Sequence, residues 1–289
     1  MKHLKLDHVI LVVSDLQVAT RQFTQLGFSV IPGGVHSGGK THNALIPFPD
    51  GTYIELLATT KSSRFSFLIL LKRLHLLGFY TADDSAINRR LTIDLASGIG
   101  MADFCMLSSD LDQETSVLSD RGAKFSKPIP GGRVRPDGKE ITWRTSVPRD
   151  LDLPFLIDDQ TPRELRVPPI PEETHENGIL GILGIVVLSS NLVESMAHYR
   201  ALLNDDPVSQ NQFSQPGAQS SEFHIDQQTI TLISPLTGSS DLRKMIRHRS
   251  SRPAGVFFRS AENGTRDPLC LTYITERGAT LSRSKILFP

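Results

Sequence analysis

The chain has 289 residues, of which 39% are hydrophobic and 21% are charged. This composition is typical of a globular protein of about two domains, each of roughly 150 residues. Lysine plus arginine and aspartate plus glutamate both number 31, and the basic residues are scattered, so the sequence predicts neither a nucleic-acid nor a membrane partner.

The sequence also bears on where the protein is located. Cys105 and Cys270 lie in opposite halves of the chain, which does not indicate a disulfide framework. Residues 1–5 lead directly into the first predicted strand and leave no room for a signal peptide. The apolar run 65–71 ends at Lys72 and falls short of the roughly 18 residues of a membrane span. We therefore expect a cytoplasmic protein.

The first sixty residues predict a β-α-β-β-β unit. An apolar strand at 6–13 is followed by helical spacing up to Gly27, and residues 28–31 are the second predicted strand. The glycine-rich stretch 32–41 has the composition of a loop. The third and fourth strands, residues 43–48 and 52–57, flank a tight turn.

One polar residue interrupts the first strand and one interrupts the fourth. His8 lies within the first apolar run, and Glu55 lies within the last. Burying a charge without a partner costs several kcal/mol, roughly, so each residue requires a partner. If the two strands are neighbours, His8 and Glu55 face one cavity, where they share a metal ion or a proton.

The unit recurs along the chain. A shift of 176 residues places residues 182–192 on the opening strand and residues 229–233 on the fourth. Weaker copies begin near residues 103–107 and 255–259, and the last copy is expected to end before a closing hairpin. The sequence thus predicts three and a half modules, arranged in two pairs.

These modules define a domain organisation. We expect a first domain at 1–160 with a helical insert near 61–98, a proline-rich extended linker at 161–177, and a degenerate, truncated second domain at 178–289. Three leucines of the insert fall at helical spacing and are predicted to belong to the core: Leu68, Leu71 and Leu74.

The repeated unit, with His and Glu on its strands, resembles the vicinal oxygen chelate superfamily and, within it, the glyoxalase-like domain group. The resemblance covers roughly residues 4–160 and is carried by residues 6–9, 33–36 with Asn43, 53–56, 132–138 and 141–144. It implies an α+β fold in which paired βαβββ modules form a half-open, eight-stranded barrel (the glyoxalase, bleomycin-resistance and extradiol-dioxygenase fold). The second module pair is expected to be incomplete.

The resemblance implies a cofactor, one divalent metal ion that binds substrate oxygens. His8 and Glu55 match the family's ligand positions in the first module. The alternative is that they form a hydrogen bond and hold no metal. In the second module Asp103 stands at the position of His8, and Leu156 approximately at that of Glu55. A site with two His and one carboxylate is therefore not assembled from the usual positions, which disfavours an extradiol dioxygenase.

Other residues are candidates for binding substrate. His36 and Asn43 belong to the pattern of the resembling group, and His36 (or its neighbour His42) is a candidate for the missing metal ligand. Arg133, Trp143 and Arg144 would form an opposing wall that suits a planar or carboxylate-bearing ligand. Because side chains alternate along a strand, Trp143 and Arg144 face opposite ways, and we expect Trp143 to face inward.

The function that follows is acid–base chemistry on an oxygenated metabolite, of a lyase or isomerase type. Glu55, with a pKa raised by burial, would be the base and His8 its partner. The alternatives are a metal-free small-molecule binding protein and a scaffold that acts through its second half. In that half Gly184 and Thr231 replace His8 and Glu55, so we expect this pair to have lost the site. A homodimer is left open.

Overall fold

The structure is a computed structural model that describes residues 4–207, 218–236, 253–260, 269–275 and 278–283. Its first half contains eight strands and five helices. These are β1 Lys5–Val12, α1 Leu16–Gln25, β2 Ile31–His36, β3 Thr41–Pro47, β4 Tyr53–Thr59, α2 Ser62–Arg73, α3 Leu77–Tyr80, α4 Ala86–Ala96, β5 Gly100–Leu107, α5 Leu111–Asp120, β6 Ile129–Val134, β7 Glu140–Ser146 and β8 Phe155–Asp159.

The second half begins with a short helix and then forms a sheet. Its described elements are α6 Arg163–Arg166, a 3-10 turn at Glu172–Thr174, β9 Ile179–Leu188, α7 Leu192–Leu203, β10 Ala218–Ile225, β11 Gln228–Pro235, β12 Pro253–Ser260, β13 Leu269–Thr275 and β14 Gly278–Arg283.

The first eight strands form a barrel in the order β1-β4-β3-β2-β6-β7-β8-β5. The predicted α+β fold with paired modules is confirmed. The ring of strands is closed rather than half-open, because β2 and β6 pair antiparallel and join the two modules. Val35 pairs there with Val134, and His36 pairs with Arg133.

The glycine-rich stretch predicted as a loop contains strand β2, so that prediction is wrong. The reason is the close approach of the neighbouring strands. A Cβ atom on Gly33 would lie 2.0 Å from Asn43 Oδ1, and one on Gly34 would lie 2.1 Å from the Val134 carbonyl oxygen. Glycine within a strand often marks such an approach. The same four residues, Ile-Pro-Gly-Gly, begin both β2 and β6.

The two modules of the barrel correspond at an offset of 95 residues, which relates β1 to β5 and α1 to α5. Strand register then identifies the counterpart of Glu55. Ile10 pairs with Glu55 on β4, and Cys105, 95 residues after Ile10, pairs with Phe155 on β8. The counterpart of Glu55 in the second module is therefore Phe155 and not Leu156, which the sequence predicted. Leu156 lies in the core outside the barrel.

The second half forms a six-stranded sheet in the order β10-β11-β9-β12-β13-β14. Two neighbouring strands, β9 and β11, form a parallel pair in which Gly184 faces Thr229. In the barrel His8 faces Tyr53, with each residue 176 positions earlier. After β12, strands β13 and β14 pair antiparallel, and within the described ranges the second module pair is incomplete, as expected.

The barrel and the second sheet share one apolar core. Phe28 and Phe48 of the first half contact Phe258 of β12, with ring centroids 5.8 and 5.6 Å apart. The proline-rich segment 161–177 packs on the barrel instead of extending freely. His175 Nδ1 accepts a hydrogen bond from the Ser29 backbone N–H at 2.9 Å, and its Nε2 donates to the Pro47 carbonyl oxygen at 2.8 Å. Burial of these groups keeps the two halves in one packed unit.

The insert forms helices α2, α3 and α4, and α2 packs on α4. Leu68 is buried as predicted, whereas Leu74 is 56% exposed, so the prediction of a core position is wrong for Leu74. In the part of the chain that the structure describes, no helix has the length and apolar character required to cross a membrane.

Candidate active site

A cavity of about 180 Å³ lies inside the barrel. This volume is below the roughly 300–1,000 Å³ of pockets for drug-sized ligands and suits a small metabolite. Its polar lining includes His8, His36, Asn43, Tyr53, Glu55 and Arg133. Five of the residues predicted from the sequence therefore meet here, and Trp143 lines the same cavity.

The imidazole of His8 is fixed on three sides. Its Nδ1 lies 2.7 Å from Asp7 Oδ2, its ring stacks on Tyr53 with centroids 4.5 Å apart, and the edge of Phe155 closes the remaining face at 5.7 Å. Because the carboxylate of Asp7 accepts the Nδ1 proton, Nε2 carries the free lone pair. That atom faces Glu55 Oε2 at 3.5 Å.

Glu55 lies between two imidazoles. Its other oxygen, Oε1, is 3.4 Å from His36 Nε2 and accepts a hydrogen bond of 2.7 Å from Asn43 Nδ2. Burial alone would raise the pKa of Glu55, but His36, His8, the Asn43 hydrogen bond and Arg133 outweigh burial and lower it. The prediction of a raised pKa is therefore wrong, because the sequence does not show how many donors and cations surround this carboxylate.

His36 is oriented by its own neighbours. Asn43 Nδ2 donates to Nε2 at 3.3 Å, so Nδ1 carries the proton and donates to Thr41 Oγ1 at 2.9 Å. Burial lowers the pKa of His36, and the nearby Glu55 offsets this only in part. His36 lies in strand β2 and not in the loop that the glycine-rich composition predicted.

A buried network of ion pairs holds His8 and Tyr53 in place. Asp7 accepts hydrogen bonds from Arg166 at 2.8 Å and from Arg163. Arg166 also donates to the Tyr53 hydroxyl at 2.7 Å and pairs with Asp159. Burial raises the pKa of Asp7, but Arg166, the His8 hydrogen bond and Arg163 together lower it well below its usual value.

The sequence reasoning missed this network. Arg163 and Arg166 stand three residues apart in the segment that was interpreted as a linker, and Asp7 stands directly before His8. Two arginines at helical spacing in a proline-rich segment were the available signal.

Arg133 is a buried cation on the cavity wall. It is 4% exposed, and Nη2 donates to the Arg166 carbonyl oxygen at 2.6 Å. Among the described residues its Nε has no hydrogen-bond partner, and its guanidinium forms no ion pair. Burial lowers the pKa of Arg133. An anionic ligand in the cavity would supply the missing counter-charge.

Trp143 and Arg144 separate as their alternation predicts. The indole of Trp143 lines the cavity and meets His36 edge to face at 6.1 Å. Gly131 makes room for it, because a Cβ there would lie 2.7 Å from Trp143 Nε1. Arg144 is not brought to the cavity: it pairs with Asp158 and, at 2.7 Å, with Asp112.

Helix α4 of the insert completes the cavity wall, which the sequence reasoning also missed. Asn88 and Leu91 lie among its lining residues. Arg90 of the same helix binds Asp103 with two hydrogen bonds of 2.6 and 2.7 Å. Asp103, at the position corresponding to His8, thus holds the insert on the barrel and is not a cavity residue.

The residues present fit one divalent cation on the His8 side of Glu55. His8 Nε2 and Glu55 Oε2 face each other without a donor between them, and Asp7 orients His8 as a carboxylate commonly orients a metal-bound histidine. On the His36 side, the hydrogens of Asn43 already satisfy Glu55 and His36.

A second group of potential ligand atoms, on Asp7, His8 and Cys105, fits a metal less well. Asp7 is committed to two arginines, and burial raises the pKa of the Cys105 thiol well above its usual value, which opposes formation of the thiolate that binds metals.

Comparison with known proteins places this geometry in context. The family model described as "Glyoxalase-like domain" matches residues 6–203. A hypothetical protein from Staphylococcus aureus is 18% identical over 97% of this chain and 98% of that chain, with a TM-score of 0.66. A mutant of 4-hydroxymandelate synthase from Streptomyces coelicolor is 14% identical over 88% and 70%, with a TM-score of 0.51. Both similarities concern the fold alone. No curated protein matches significantly.

Proposed function

Because the chain belongs to the glyoxalase-like domain family of the vicinal oxygen chelate superfamily, we propose that its barrel cavity catalyses proton transfer on a small metabolite. The metabolite carries a carbonyl group and a carboxylate. The observation that supports this most directly is the alignment of Asp7, His8 and Glu55 in the same cavity as the unpaired guanidinium of Arg133.

Arg133 is the proposed docking point for the carboxylate. An isolated buried cation is costly, and a planar guanidinium can bind a carboxylate through two parallel hydrogen bonds. Its unpaired Nε provides one of these donors. Trp143 offers a flat apolar surface beside the docked group. The carboxylate would thereby fix the substrate with its reacting carbon towards His8.

His8 is the proposed base. Asp7 holds the Nδ1 proton, so Nε2 accepts the proton from the carbon next to the carbonyl group, and the C–H electron pair moves to the carbonyl oxygen to give an enolate. Asp7 stabilises the imidazolium that forms, in the manner known for carboxylate–histidine pairs, and Glu55, whose pKa is lowered, remains an anion beside Nε2. Return of the proton to the opposite face of the carbon or to another atom of the enolate gives isomerisation, whereas expulsion of a leaving group from the carbon next to the deprotonated one gives elimination.

In a metal-bound form, His8 and Glu55 would hold the divalent cation that the fold family implies, and the Nε2 lone pair would then bind the cation instead of acting as the base. Such a cation, when bound, polarises a substrate oxygen as a Lewis acid. Metal analysis of the purified protein and of His8→Ala decides whether this group takes part, independently of any activity.

A second candidate function is metal-free binding of a small carboxylate without chemistry. It is favoured by one observation: Asn43 satisfies both Glu55 and His36, so this side of the cavity is stable without metal or substrate. A proton-exchange experiment separates the two candidates, because a protein that only binds the ligand does not exchange the ligand's C–H protons with solvent.

The test begins with a panel of small 2-oxo and 3-oxo carboxylic acids, and those that raise the melting temperature of the protein are selected. Each binder is then incubated with the protein in deuterated buffer, and loss of its C–H signal is followed by NMR. We expect exchange by the wild type, a loss of roughly 100- to 10,000-fold in His8→Gln, and no change in His42→Gln, a neighbouring histidine outside the cavity. Binding without exchange by the wild type would leave only the second candidate.

A further inference from the structure

The insert carries a large apolar surface on the outside of the molecule. Within fourteen residues, six large side chains of α2, α3 and the turn between them are exposed; the most exposed is Phe79, at 83%. We call these six residues the insert patch: Phe67, Leu70, Leu74, Leu76, Phe79 and Tyr80. Contiguous exposed patches of this kind mark interaction surfaces.

Helix α2 is apolar on two opposite faces. Its inner face buries Leu68 in the cluster that fills the barrel interior. Its outer face presents Phe67, Leu70 and Leu74, spaced three and four residues apart, to solvent. Large apolar side chains exposed along one face of a helix are typical of a surface that a partner covers.

Basic residues are concentrated in the segment that carries the patch, and the first acidic residues, Asp83 and Asp84, follow it. Residues 61–82 contain four lysines and arginines and no aspartate or glutamate, although the whole chain has no net charge. Lys61 and Arg73 are exposed at the two ends of α2. Arg64 donates to the Tyr80 hydroxyl at 3.1 Å, and Tyr80 meets Phe67 edge to face at 5.7 Å, so a guanidinium borders the aromatic residues.

We propose that the insert patch docks on the surface of an anionic lipid bilayer. Exposed phenylalanine and leucine beside lysine and arginine, without acidic residues, is the composition of helices that lie in the membrane interface. The apolar side chains enter the region of the acyl chains, while Lys61 and Arg73 contact the anionic headgroups. The expectation of no membrane partner followed from the charge of the whole chain, which does not show how charge clusters locally.

A second copy of the chain is the less favourable occupant. A symmetric dimer brings the same surface of two molecules together, so the basic residues of one patch would face those of the other. Residues 61–82 supply no acidic side chain to neutralise them, and of the two aspartates that follow, Asp84 already pairs with Lys40. An anionic bilayer meets both requirements, because it covers the apolar stripe and provides the opposite charge.

The test is co-sedimentation of the full chain with vesicles of phosphatidylcholine and phosphatidylglycerol, compared with vesicles of phosphatidylcholine alone. We expect binding to the anionic vesicles only, and weaker binding as the salt concentration rises. Phe79→Ser should weaken binding by roughly tenfold or more, and Lys61→Gln and Arg73→Gln by about fivefold each.

Matched controls separate the patch from general surface effects. Val193→Ser removes an exposed apolar residue of α7, and Lys124→Gln removes an exposed charge from the loop after α5; neither should change binding. Only variants whose melting temperature equals that of the wild type are compared. The proposal is overturned if the folded wild type does not bind anionic vesicles, or binds both vesicle types equally. A concentration-dependent dimer that Phe79→Ser dissociates would instead identify the patch as a self-interface.

Discussion

The barrel and the second sheet contain the same parallel strand pair but differ in what surrounds it. β1 pairs with β4, and β9 pairs with β11, in parallel and at residues 176 positions apart. In the barrel this pair places His8 and Glu55 beside a cavity. In the second sheet the corresponding residues are Gly184 and Thr231. Local strand pairing is therefore not sufficient to build the site.

Two differences account for this. The first is closure: β2 and β6 join the barrel into a ring, whereas β10 and β14 end the described second sheet on either side. The second is space. A Cβ on Gly184 would lie 2.4 Å from Thr229 Oγ1, so an imidazole does not fit there without rearrangement. The cavity therefore depends on closure of the ring of strands and on space for side chains beside the parallel pair β1 and β4.

The largest expected effect concerns the ion network, which holds segment 161–177 on the barrel. Arg166→Met leaves Asp7 and Asp159 buried without their main partner and should lower the free energy of unfolding by about 3–5 kcal/mol. Urea denaturation measures this. Arg200→Met removes an exposed ion pair from α7 and should cost about 0.5 kcal/mol or less. Equal effects of the two substitutions would contradict a structural role for the network.

The next effect tests closure of the ring. Gly34→Ala brings a Cβ against the Val134 carbonyl at a φ of +147°, and should cost about 2–5 kcal/mol and abolish ligand binding in the cavity. Gly38→Ala has a positive φ but no close contact, and should cost about 1 kcal/mol. Denaturation and ligand thermal shifts are measured together. Intact ligand binding in Gly34→Ala would show that closure at β2 is not needed.

A smaller effect tests the counter-charge in the cavity. Arg133→Gln should weaken carboxylate binding by about 10- to 100-fold, as expected when a hydrogen bond between charged groups is lost. It should leave the unfolding free energy nearly unchanged or higher, because a buried cation is removed. Calorimetric titration with the best ligand measures the affinity, and Lys139→Gln is an exposed control. Unchanged affinity would exclude Arg133 as the docking point.

The smallest expected effect is a pH dependence of stability that originates at His36 and Glu55 in the cavity. Because burial lowers the pKa of His36, the unfolded chain binds a proton more readily, and stability falls as the pH drops through about 6.5. The lowered pKa of Glu55 adds a loss in the same direction at lower pH. His36→Gln should flatten the slope of unfolding free energy between about pH 7.5 and 5.5. Parallel slopes for variant and wild type would contradict this.

Some of the site was predictable because it depends on alternation and spacing. His8 and Glu55 each interrupt an apolar strand, and their meeting required only that the two strands be neighbours. The inward orientation expected for Trp143 followed from the two-residue period of a strand. The pKa of Glu55 was not predictable, because it depends on Asn43 and Arg133, which approach it from other strands.

By itself, the sequence determined the modules, their order and the two polar residues of the parallel pair, His8 on β1 and Glu55 on β4. It could do so because hydrophobic periodicity and repeats are local properties. Only the tertiary structure decided that a glycine-rich stretch closes the ring, that Arg166 returns to support Asp7, and that α4 covers the cavity. These contacts join residues about 100 or more positions apart in two cases and place a separate insert over the barrel in the third. Their geometry is set by packing, and no local pattern encodes it.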